Sequence, residues 1–89
     1  AEVVQAMVRG AQERSGARFA VAVSGIAGPG GGSPEKPVGT VWIAWADGSR
    51  LYVDRQLFSG DRQSVREQTV AAALHGLLAL ALGEKPLRD

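Results

Sequence analysis

Residues Val41 to Ala46 read Val-Trp-Ile-Ala-Trp-Ala, six positions without a charged or hydroxyl-bearing side chain. A run that short has the length of a strand, and it lacks the polar–apolar alternation of a sheet with one wet face. Both of its faces must therefore be covered. Phe19 to Val23 shows the same pattern. Two such strands commit the chain to a layered α/β arrangement in which helices supply the cover.

The flanking segments have helical periodicity. Val3, Val4, Met7, Val8 and Ala11 recur at three- and four-residue spacing, and Gly16 follows where a helix can end. A second helix opens near Ser59, Gly60 and Asp61, where a short oxygen-bearing side chain can cap free amides. It runs to about Leu82, before Gly83 and Pro86. Between the helices, Asp47 and Gly48 supply hairpin chemistry, and Leu51, Val53 and Leu57 alternate with more polar neighbours, as a strand nearer an edge does. The expected order is helix, strand, strand, strand, helix. Strands are placed near 18–24, 39–46 and 50–58, and the long helix starts at about 60, giving a mixed β-sheet flanked by helices.

Two helices are a thin cover for such an apolar sheet, and the second half of the last helix is hydrophobic on nearly every side. Leu74, Leu77, Leu78, Leu80 and Leu82 are expected to meet either a second subunit or another half of the same domain. His75, among them, reads as a core or interface histidine rather than a catalytic one.

Several function classes are disfavoured by composition. Ten basic and nine acidic residues give a net charge of +1, too weak a field to argue for nucleic acid or an anionic membrane. Cysteine is absent, so thiolate chemistry and cysteine-ligated metal are excluded, and one histidine is a poor basis for a metal cluster. Val65 to Leu82 is interrupted by Arg66, Glu67, Gln68, His75 and Gly76, short of the roughly 18 apolar residues that span a bilayer. The N-terminus carries no secretion pattern. The reading is a cytoplasmic protein without cofactor or metal, and a segment that enters a domain partway along.

Half of the twelve glycines fall between Val23 and Val41. The stretch starts where a buried strand ends, which is where α/β proteins place ligand loops. Gly25, Gly28, Gly30, Gly31 and Gly32 allow successive amides to converge on an anion, and Pro29, Pro34 and Pro37 restrict the loop. Ser24 adds a hydroxyl and Lys36 a cation. The spacing fits neither the Walker loop nor the dinucleotide fingerprint, so a surface connection without function stays open. Arg62 and Arg66, four apart at the start of the last helix, share a face near free amides. They suit phosphate, or they are solvated partners of Asp61 and Glu67.

The strings SGIAGPGGGSPEKPVGTVWIA and FSGDRQSVREQTV resemble the C-terminal domain of the competence- and damage-inducible CinA proteins, the family of nicotinamide mononucleotide deamidases. The resemblance runs through nearly the whole chain and covers the C-terminal portion of that family's domain. It implies an amidohydrolase that converts nicotinamide mononucleotide to nicotinic acid mononucleotide and ammonia through an acyl-enzyme. The family's nucleophile is a serine in a Glu-Ser-Cys-Thr-Gly-Gly motif helped by a tyrosine and a lysine, and no Cys-Thr-Gly-Gly string occurs here. These 89 residues are thus expected to hold the nucleotide without supplying a catalytic group. By the resemblance, Ser24, Gly25, Ile26, Gly28, Gly30, Gly31 and Arg62 are substrate-binding positions, with Lys36 and Arg66 as further contacts. The alternative is a non-catalytic phosphate-binding or oligomerisation module of a CinA-type protein.

Overall fold

The computed structural model describes residues 2–25 and 38–86. The elements follow in the order α1 (Glu2–Ser15), β1 (Phe19–Ser24), β2 (Val38–Asp47), β3 (Arg50–Ser59) and α2 (Arg62–Ala81). The strands form one sheet in the order β1-β2-β3. Phe19 pairs with Asp47 and Ser24 with Trp42, while Asp47 pairs with Arg50 and Val38 with Ser59. Both pairings are antiparallel. The α/β class and element order are those expected, but the parallel pairing implied by a mixed sheet does not occur among the described strands. For β2 and β3 the reason is local, because a connection of two residues, Gly48 and Ser49, can only return the chain alongside itself in the opposite direction.

The unbroken apolar run in β2 is explained by a helix on each face. Val41, Ile43 and Trp45 point to α2 and pack with Val65, Ala73 and Leu80, and Ala44 and Ala46 point to α1 and pack with Val4 and Val8. Every residue of 41–46 except Trp42 is buried. Two helices thus suffice for the central strand, leaving β1 and β3 mostly half-covered. Leu57 on β3 is exposed, although its alternation reads as inward.

Helix ends follow the chemistry of their residues. Asp61 caps α2, its Oδ1 accepting from the Ser64 amide at 2.8 Å. At the other end the Gly83 amide donates to the Leu80 carbonyl and the Glu84 amide to the Ala79 carbonyl, at 3.0 and 2.8 Å, the Schellman pair of bonds. Gly83 sits at φ 79°, a region that costs a side-chain-bearing residue about 1–2 kcal/mol. At the end of α1 the Arg9 guanidinium reaches across to the β2–β3 turn. Nη1 donates to the Gly48 carbonyl and Nη2 to that of Ser49, both at 2.7 Å, and Gln12 Nε2 donates to the Arg18 and Gly48 carbonyls.

The leucine-rich end of α2 divides in two. Leu80 is buried and Leu77 partly so against the sheet, whereas Val70, Leu74, Leu78 and Leu82 form a row at four-residue spacing, each more than half exposed. His75 is exposed, not a core residue. It lines a groove between α2 and β3 with Asp54, Gln56, Ala72 and Pro86.

Candidate functional site at the end of strand β1

β1 stops short of its neighbour. Ser24 is opposite Trp42, and β2 extends four residues beyond that pair, to Val38, still paired with β3. Gly25 follows β1 at φ 83°, a conformation open to glycine at little cost. A β-carbon there would stand 3.3 Å from the Thr40 carbonyl oxygen and 3.6 Å from Cδ1 of Trp42. The backbone at Gly25 therefore passes close to β2 by virtue of having no side chain.

Helix α2 covers the face of the sheet that carries Val41, Ile43 and Trp45. Gln68 Nε2 donates to the Ser59 carbonyl at 2.9 Å, which fixes the Gln68 flank of the helix over β3. At 3.6 residues per turn, Arg62 and Arg66 project from the opposite flank, on the β1 side. Both are exposed. Val65, between them in sequence, belongs to the buried cluster that holds Val41, Ile43 and Trp45.

Among the described residues neither arginine forms an ion pair. Asp61 is engaged as the helix cap, and Glu67 accepts from Gln63 Nε2 at 3.2 Å. The ion pair found among the described residues, Arg18 with Asp47 at 2.6 Å, lies at the far end of the sheet. A helix start and two exposed arginines that form no ion pair among the described residues make an environment for an anion such as phosphate.

Of the residues expected at the site, Ser24 and Gly25 are thus at the end of β1, and Arg62 and Arg66 stand at the start of α2, where they line a surface pocket with Asp61, Gln63 and Glu67. Ile26, Gly28, Gly30, Gly31 and Lys36 lie outside the described residues. Ser24 is half-buried at the tip of β1. His75, on the β3 flank of α2, is placed away from it. Among the described residues no group of three histidine, cysteine or acidic side chains is placed to hold a metal. No helix among them is long and apolar enough to cross a membrane.

Trp42 is the residue at this site that sequence reasoning assigned wholly to the core. It packs partly against Val4, Val8 and Ala44, yet it is the one incompletely buried residue of 41–46, and its pyrrole edge lies at Gly25. Only the strand register reveals this, since the offset between β1 and β2 decides which residue of β2 meets the strand end.

Known proteins share this fold. The CinA C-terminal domain family matches residues 1–81. The nicotinamide-nucleotide amidohydrolase PncC of Pseudomonas putida is 73% identical over 79 residues, covering 89% of this chain and 49% of that protein. A CinA-like protein of Akkermansia muciniphila is 61% identical over 77 residues, covering 85% of the chain and 19% of that protein. The crystal structure of a competence or damage-inducible protein from Enterobacter asburiae superposes with a TM-score of 0.75 at 38% identity, over 86% of this chain and 48% of the other. A CinA superfamily protein from Klebsiella pneumoniae gives 0.75 at 41% identity, over 89% and 50%. The chain spans about half the length of the amidohydrolase and of these solved relatives.

Proposed function

The chain belongs to the CinA C-terminal domain family, and from that premise we propose that it is the nucleotide-holding portion of a nicotinamide-nucleotide amidohydrolase. The reaction is hydrolysis of the carboxamide of nicotinamide mononucleotide. A serine oxygen attacks the carboxamide carbon, the C–N bond breaks with release of ammonia, and water then cleaves the acyl-enzyme to nicotinic acid mononucleotide. The nucleophile belongs to the family's serine motif, which these 89 residues do not contain.

The observation that supports this reading is the pair Arg62 and Arg66, exposed on one flank at the start of α2 and in no ion pair among the described residues. Charge-assisted bonds from arginine hold the phosphate. The glycine-rich loop supplies amides to the rest of the ligand and to the developing oxyanion. No cofactor is required, and a cytoplasmic setting suits the substrate. Ammonia release from nicotinamide mononucleotide tests the assignment. Protein that includes the serine motif should turn over, and the 89-residue chain alone should match the blank. Turnover by the short chain that disappears with Ser24→Ala would place the nucleophile at Ser24 instead.

A second reading is a non-catalytic phosphate-binding or oligomerisation module, favoured by the exposed row Val70, Leu74, Leu78 and Leu82. In either case we assign that row to contact with a second copy or with the remainder of the domain. Leu74→Asp with Leu78→Asp should lower the solution mass if a second copy covers it. An unchanged mass with a lower melting temperature identifies the same-chain cover.

A further inference from the structure

We propose that Trp42 is a specificity-determining residue of this site, presenting its indole to the positively charged pyridinium ring of the nucleotide. The inference rests on the functional reading above and adds to it a residue and the ligand feature it recognises. Three observations carry it. Trp42 pairs with Ser24, the last residue of β1, so it stands at the end of that strand. Its Cδ1 is within van der Waals distance of a β-carbon at Gly25, so the pyrrole edge of the indole borders the turn. It also retains exposed surface in a strand whose other core residues have none to spare, from Val41 to Ala46.

The contrast with Trp45 sharpens the point. Trp45 is buried, and its Nε1 donates to the Ala73 carbonyl at 3.0 Å, so its polar edge is satisfied within the core. The Trp42 indole has no acceptor among the described residues, although it is large, polarisable and at the surface. Tryptophan is the strongest of the aromatic partners for a cation over its face. A nicotinamide mononucleotide carries a cation of that kind in its ring, while arginines such as Arg62 suit the phosphate and are repelled by the ring. The two ends of the ligand thus have separate recognition groups, Trp42 on the α1 face of the sheet and Arg62 with Arg66 on α2.

Isothermal titration of the intact protein separates the contributions, using nicotinamide mononucleotide, its reduced form with an uncharged non-aromatic ring, and ribose 5-phosphate, which has no ring. Wild type should prefer the oxidised over the reduced nucleotide. Trp42→Leu should lose roughly 5- to 100-fold in affinity for the oxidised nucleotide and abolish that preference, with ribose 5-phosphate affected less than twofold. Trp42→Phe should restore most of the loss. Trp42→Met, unbranched and flexible enough to fill part of the space, provides the same contrast should the leucine variant melt below the assay temperature. Equal losses for all three ligands, or an oxidised–reduced preference that survives without the ring, overturns the assignment of Trp42 and leaves the functional reading standing. Absence of nucleotide binding by the wild type overturns both.

Discussion

The indole of Trp45 fills the space that a side chain at position 76 would take. A β-carbon on Gly76 would overlap Nε1 and Cε2 of that ring, and the same Nε1 is held by the carbonyl of Ala73 one turn away. Helix α2 approaches the sheet this closely because it presents bare backbone at the point of crossing. Glycine inside a helix costs about 1 kcal/mol relative to alanine, so Gly76→Ala gains propensity and loses packing. Packing wins. The variant should be less stable by about 1–3 kcal/mol, read from the urea midpoint, because neither rigid ring nor helix backbone can yield cheaply. A neutral or stabilised Gly76→Ala would show that the helix is not seated on Trp45.

Asp61 holds the start of the same helix. Its carboxylate accepts from the Ser64 amide, and removing it leaves that donor to water at the end that carries Arg62. Asp61→Ala should cost about 1 kcal/mol, while Asp61→Ser or Asp61→Asn should cost a few tenths at most. Chemical denaturation of the three variants gives the ranking. Because Asp61 lies next to Arg62, Asp61→Ala is also expected to leave phosphate binding intact or slightly tighter, so stability and affinity move in different directions.

Arg9 ties α1 to the β2–β3 turn through two carbonyl oxygens that no other side chain but that of Gln12 reaches among the described residues. The bonds are solvent-exposed, so their worth is discounted to about 1 kcal/mol. Arg9→Ala should lower stability by that amount and speed amide exchange in the turn. Arg9→Lys should recover little, since one ammonium cannot span the carbonyls of Gly48 and Ser49 with the geometry of a planar fork. Unchanged exchange at Ser49 and Arg50 in Arg9→Ala would mean that the turn holds itself.

Arg62 is the residue on which phosphate recognition is expected to depend most. In protein that includes the serine motif, Arg62→Ala should weaken nicotinamide mononucleotide binding by roughly 10- to 150-fold, and Arg62→Lys should recover part. Nicotinamide riboside, which lacks phosphate, is the control and should bind the variants and wild type alike. Equal losses for both ligands would assign Arg62 to the fold or to the ring pocket.

Much of this was legible in the chain. The unbroken apolar run of 41–46 required cover on both faces, and α1 and α2 provide it. Gly83 and Asp61 marked the ends of α2 by local chemistry alone, because a cap depends on residues within one turn of it. The glycine stretch and the GDR segment carried the family resemblance. What the sequence could not specify was set by long-range pairing. Whether Trp42 belongs to the core or borders the site depends on where β1 ends against β2, an offset fixed by the sheet register and not by either strand's composition. Arg62 and Arg66 share a helix face by spacing, but that this face looks toward β1 follows only from the seating of α2, with Gln68 on Ser59 and Gly76 on Trp45. His75 was read as core or interface from its apolar neighbours, and its exposure removes the core alternative. A helix that is apolar all round does not encode which side meets the sheet, and only the packing of small residues against large ones decides it.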